Sequence, residues 1–375
     1  MTNIISADVN GRIIAAWVEE ALAHGHHFID IPIEVPLGQE YHRSCFQKAV
    51  RRGQVANAIM HGEWLALLDE KYAWTTLSVT AAEDVGIGCP TMVALSLLCT
   101  LKTFRAPIGQ DKKLFRGIIT RLCNAHKNRF GCQLNVFVDT HFEGFDYSAV
   151  SDETLGHWLT SPDLGTQFRA LRELRKRCKH GNIALMTDIV KAIKQTFPNP
   201  ILGMATALMF ERYTDDLDFG LAVTMAWVFG GVGGSPELTK TNLPKLEDPT
   251  YLAPGDLLIN SLDQHTSLGR SALVRWAKTT HMINVLDTYG IAPDKRNKAL
   301  GAITFFHDAA VVYPMLNIED SYVTDLVLKQ EVAYTNSRAE AKLSMQGYCD
   351  LRAEVMSDIS NFNEIRSYLW AKNKE

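Results

Sequence analysis

Tyr41-His-Arg-Ser-Cys-Phe-Gln-Lys-Ala-Val-Arg-Arg-Gly53, followed further on by Ala81-Ala-Glu-Asp-Val-Gly86, decides the fold. Both stretches carry helical periodicity and end on a glycine, the residue that supplies a left-handed terminus without a Cβ penalty. They predict helices over 41–52, 54–70 and 73–84, with Pro90 opening another that ends before Pro107.

The same period dominates outward from there. An opening helix is expected from about Asn10 to Ala23, capped by Asn10 or Asp8. Phe28-Ile-Asp-Ile-Pro-Ile-Glu-Val-Pro36 is alternating and proline-punctuated, so it reads as an extended arm or short strand. The stretch 111–128 is helical and basic, and Leu134–Asp139 is either a short strand or an irregular connection. Helices are expected near 163–178, 183–196, 201–213 and 216–229. A break rich in Pro, Gly, Asn and Asp runs from Gly230 to about Ser261, and helices resume near 267–287, 294–312, 319–333 and 336–370. The expected fold is all-α, a multi-helix array with little or no sheet. Three regions are expected: 1–130, 131–235 with a basic face, and 236–375 after the long loop.

The helix with Phe46, Gln47, Lys48, Arg51, Arg52 and Gly53 is followed by Trp64 and Leu67, then by Ala81, Glu83, Asp84, Val85, Gly86 and Pro90. This compound pattern resembles the helical C-terminal region of the replication-associated recombination AAA+ ATPases, the MgsA/RarA family, over roughly residues 41–105. Asp263-Gln-His-Thr-Ser-Leu-Gly-Arg270 is similar to an Asp-x-His-Thr-x-x-Gly signature of free-standing, ATPase-less relatives of that region. The resemblance implies a collar-like helical fold, self-association and a setting in DNA replication or repair. It does not carry ATP hydrolysis over. No Gly-x-x-x-x-Gly-Lys-Ser/Thr occurs, and the glycines at Gly230–Gly234 run into Ser-Pro-Glu instead. Thr75-Thr76 stands where the family has an arginine pair, so the interface those arginines make is not carried over either.

Composition bounds the function classes. With 46% hydrophobic residues over 375 the chain has ample core, and a net charge of −4 argues against a generic polyanion binder, so any nucleic-acid site must be local. Seven cysteines without a Cys-x-x-Cys pair suit a reducing compartment better than a disulfide framework. The amino terminus lacks the basic region and apolar run of a signal peptide, and no stretch is apolar enough to span a membrane. A cytoplasmic protein is expected, in a host cytoplasm if the chain is viral.

Four constellations carry chemistry. Glu83 and Asp84 end a helix beside Gly86, where acids oppose the macrodipole, so they are expected either to pair with Arg51 or Arg52 or to accept N–H bonds from the helix that Pro90 opens, the alternative being a metal-binding or catalytic role. Asp263, His265, Thr266 and Arg270 read either as a helix cap with a packed histidine, as a phosphate- or carboxylate-binding group, or as a catalytic cluster. His24, His26 and His27 suit a helix end, and Cys178 with His180 lacks further ligands nearby, so no metal or cofactor is implied. Two basic runs, with Lys112, Lys113 and Arg116 on one face and Arg169, Arg172, Arg175 and Lys176 in the other, are either solvated faces or phosphate contacts. Aromatics beside them are sparse, which argues against single-strand stacking there. The apolar helices at 201–210 and 221–229 read as core or as an oligomer interface.

The expected function is therefore a non-enzymatic accessory protein of DNA replication or recombination. It would self-associate through its helices and touch DNA or a replication protein through basic faces. The alternatives are a protein-only scaffold or clamp-loader-like subunit joining an ATPase in trans, and a phosphate-directed enzyme using Asp263 and His265.

Overall fold

In the computed structural model the described residues are 7–25, 37–101, 104, 112–129, 150–158, 161, 166, 169–170, 173, 177, 238–241, 251–252, 257–310, 315–318 and 321–373. Among them lie thirteen helices and four short strands, so the fold is all-α with almost no sheet. The helices are α1 (Ala7–His24), α2 (Gln39–Arg51), α3 (Val55–Leu68), α4 (Glu70–Thr80), α5 (Pro90–Leu98), α6 (Lys112–Asn124) and α7 (Asp152–Trp158). After them come α8 (Ser267–Trp276), α9 (Thr280–Thr288), α10 (Arg296–Ala310), α11 (Ser321–Ala339), α12 (Met345–Ser357) and α13 (Ile359–Lys372).

Two apolar cores form. The first gathers Trp17, Phe46, Ile59, Trp74, Leu77, Met92, Leu95, Phe115, Ile118 and Leu122 from α1–α6. It also takes in Leu257, Leu258, Ile259 and Leu262. Trp74 meets Phe115 edge-on with ring centroids 4.9 Å apart. Truncating a ring at such a site typically costs ~3–5 kcal/mol through lost transfer and the cavity left behind. The second core holds Leu273, Trp276, Met282, Leu286, Leu300, Ile303, Tyr348, Leu351 and Phe362 from α8–α13. Trp276 stacks on Phe362 at 4.5 Å, and its indole N–H donates to Asp358 Oδ2 at 2.7 Å.

The division between the cores falls between Leu262 and Ala272, so the last residues before α8 pack with the N-terminal helices. The last helix, α13, serves both, since Leu369 belongs to the second core and Trp370 to the first, where it meets Tyr41 edge-on.

Gly53 ends α2 at φ 67°. The segment Ala81–Val85 continues α4 as one widened π turn and stops at Gly86, whose φ of 50° and ψ of −124° no Cβ-bearing residue adopts readily. Elsewhere the boundaries differ from the sequence expectation. The single helix expected over 267–287 is two, because Thr279 caps a new helix by accepting from Met282 N. The one expected over 336–370 is interrupted at 340–344, where Glu340 takes a φ of 51° and Ser344 caps α12 on Gly347 N. Strand β1 (Leu238–Thr241), inside the expected break, pairs antiparallel with β4 (Met315–Ile318), and β2 (Tyr251–Leu252) pairs with β3 (Leu257–Leu258). The arm at 28–36, the segment 134–139, the helices near 183–229, and His26, His27, Cys178 and His180 lie outside the described residues.

Candidate nucleic-acid interface

The junction between the two cores absorbs the enzyme-like cluster. Lys48 of α2 binds Asp263 Oδ2, and both are buried. Ser44 Oγ donates to the same oxygen at 3.2 Å, while the His265 backbone N–H donates to Oδ1 at 2.9 Å and closes an Asx turn. Burial alone would raise the Asp263 carboxyl. The Lys48 charge and hydrogen bond outweigh it and hold the group at about 2. Thr266 then caps α8 by accepting from Gly269 N at 3.2 Å, and a Cβ at Gly269 would overlap the Asp263 carbonyl oxygen. Asp263, Thr266 and Gly269 of this stretch thus each have a local structural task.

His265 sits at the surface, its ring edge-on to Phe305 at 5.5 Å rather than on the Asp263 carboxylate. Burial lowers its basicity, Asp263 works the other way, and Lys48, Arg43 and Arg338 add to the lowering. Glu40 of α2 completes the junction by accepting from Ser267 N at 2.9 Å and Ser267 Oγ at 2.7 Å.

Asp84, of the acidic pair, is held from two sides. Arg51 Nε and Arg129 Nε both donate to Asp84 Oδ1, at 2.7 and 2.9 Å. Arg52 instead reaches the Lys48 carbonyl at 3.2 Å. Burial, with the Asp84 charge beside it, pushes Glu83 up to about 7. Lys127 is buried against the carbonyls of Cys123 and Ala125, each at 2.6 Å, and burial brings it down to about 8.

The first basic run is not a continuous cationic face. Arg116 is bound to Glu63, Arg121 to Glu20 and Arg129 to Asp84, so of the expected group only Lys112 and Lys113 are exposed. Arg116 is held in an ion pair with the buried Glu63, its side chain 14% exposed, and so adds little to an exposed cationic face. Arg169 is exposed, Arg177 pairs with Asp152 and Glu173, and Arg172, Arg175 and Lys176 lie outside the described residues.

A different cationic surface appears on α8. Its buried side is Ala272, Leu273 and Trp276, which fixes the opposite side to solvent. That exposed side forms the wall of a groove of about 570 Å³ lined by Ser267, Leu268, Arg270, Ser271, Val274, Arg275, Lys278 and Leu369. Three cations and no acid line it. Beside it Tyr368 of α13 is 56% exposed, with the Arg275 guanidinium 5.5 Å above its ring. The sequence reading had Arg270 only. Arg275 and Lys278 are too thinly spaced to register as a basic run, and Tyr368 reaches them only through packing of α13 on α8.

Among the described residues, no group of three His, Cys, Asp or Glu is placed to hold a metal ion, and no helix is long and apolar enough to cross a membrane. Compared with models of protein families, with characterised proteins and with solved structures, the chain matches none.

Proposed function

We propose that the protein is a non-enzymatic helical accessory protein of DNA replication or recombination that binds the nucleic-acid backbone through the α8 groove. The observation that carries this is the groove lined by Arg270, Arg275 and Lys278 and by no acidic residue, with Glu40 engaged by Ser267 at its edge. Although the chain is net negative, a local row of cations attracts phosphates and releases their counterions on binding. Lys112 and Lys113 offer a second, smaller exposed contact. The engagement of Asp263 by Lys48 supports the non-enzymatic reading, because a carboxylate held as an ion-pair partner is a poor general base. Exposed Leu67 and Leu68 at the end of α3 support self-association.

Fluorescence anisotropy with labelled single-stranded, duplex and forked DNA tests it. Three phosphate contacts predict a log K against log salt slope of about −2.1 to −2.7, or roughly twentyfold to fortyfold weaker binding between 50 and 200 mM salt. The triple variant R270E/R275E/K278E is expected to abolish binding. Binding that ignores salt, or survives that variant, overturns the proposal.

A further inference from the structure

We infer that the α8 groove takes a single strand rather than a duplex, with its phosphates on Arg270, Arg275 and Lys278 and a base stacked against the Tyr368 ring. This rests on the backbone-binding reading above and adds the substrate class.

Arg270 and Arg275 lie five residues apart on α8, about 7.5 Å along its axis at 1.5 Å per residue, and Lys278 follows in the turn after Trp276. A cation set this short suits a short single-stranded stretch. The groove is also not purely ionic. Leu268, Val274 and Leu369 give it an apolar floor, where unstacked bases and sugars bury better than paired ones. Val274 is 40% exposed and Tyr368 56%, so both are presented to solvent rather than packed inward.

A duplex hides its base faces, and a backbone reader has no use for an exposed ring. A single strand offers those faces, and every base has one. Arg275 over one face of Tyr368 holds the ring in place and leaves its position fixed relative to the cation row.

The test uses the full chain with a fluorescein-labelled oligothymidylate, the matching duplex, and an abasic strand of equal length. Wild type is expected to bind the oligothymidylate at least tenfold more tightly than the duplex or the abasic strand. Tyr368→Ala should weaken oligothymidylate binding about fivefold to a hundredfold, the range for one stacked base. It should leave the duplex and abasic strand unchanged, and Tyr368→Phe should restore the preference. Equal weakening on all three ligands, or no change with oligothymidylate while R270E/R275E/K278E still abolishes binding, overturns the single-strand inference alone. Failure of the charge-reversal variant to weaken any ligand overturns the backbone-binding reading and this inference with it.

Discussion

Replacing Lys48 by Met is the sharpest test of the junction. Lys48 and Asp263 are 4% and 6% exposed, so removing the ammonium leaves a buried carboxylate with only Ser44 Oγ at 3.2 Å and the His265 N–H at 2.9 Å. In the intact protein Asp263 is held at about 2 against an ordinary 3.8. At roughly 1.4 kcal/mol per pK unit that depression corresponds to about 2–3 kcal/mol of stability for the ionised group at neutral pH. Losing it, and leaving the burial penalty uncompensated, places the cost of Lys48→Met at about 3–5 kcal/mol. The sign with pH follows from a depressed folded-state pKa. The stabilisation is complete above the unfolded value and is lost as pH falls from about 4 to about 2. Urea unfolding followed by tryptophan fluorescence reads both effects. The double variant Lys48→Met/Asp263→Leu should recover most of the loss, since an apolar pair of similar volume avoids the desolvation cost. A single variant within ~0.5 kcal/mol of wild type, the range of an ordinary surface change, would refute the argument. So would a double variant as unstable as the single ones.

Glu83 titrates near 7 instead of 4.5, facing Asp84, Arg51, Arg129 and Arg43. The folded state then keeps a proton that the unfolded state gives up, so stability should fall as pH rises from about 4.5 to about 7. Glu83→Gln should flatten that slope, and urea midpoints at pH 5 to 8 that stay parallel to wild type would contradict it. Gly269→Ala forces a Cβ into the Asp263 carbonyl, a backbone atom that cannot swing away, and should cost several kcal/mol or solubility. Thermal melting checks it, and an unchanged midpoint would show that the α8 cap is looser than described. Arg116→Ala strands the buried Glu63 carboxylate and should destabilise by about 1–3 kcal/mol, whereas Lys112→Ala, at an exposed site, should be neutral in the same denaturation series.

Much of the helical frame was legible because it is written locally. Gly53, Gly86 and Pro90 stop and start helices through their own backbone chemistry, and Thr266 before an apolar run announces a cap. The Arg51–Asp84 clasp could be anticipated because acids at a helix end call for a cation, and α2 was the nearest source. What local reading missed is of two kinds. Thr279 and Ser344 are caps hidden inside unbroken apolar periodicity, and the helix breaks there and at Asp358 went unseen. The other kind is long-range. Nothing near Asp263 in sequence names Lys48 as its partner, Glu63 lies far from Arg116, and α13 must fold onto α8 before Tyr368 and Arg275 meet. A basic run in sequence is also a poor guide to a basic surface. In α6 Arg116 and Arg121 are taken by carboxylates of other helices, while the sparser cations on and just after α8 line a groove.

That contrast gives the ionic junction a role beyond stability. Buried ion pairs add little net stability over apolar residues of the same shape; as a hypothesis for this chain, they fix register. Helix α2 carries Glu40, Ser44, Lys48 and Arg51, and it uses the first three to hold the start of α8 and the fourth to hold the π turn. An apolar contact at the same place would tolerate a slide or rotation of α8. The directional bonds at Asp263 and Thr266 do not, since a slip breaks hydrogen bonds shielded from water. A slip of one residue would turn α8 by about 100° and carry Arg270 and Lys278 off the groove wall. On this argument the junction residues, which touch no ligand, set the direction in which the cation row faces.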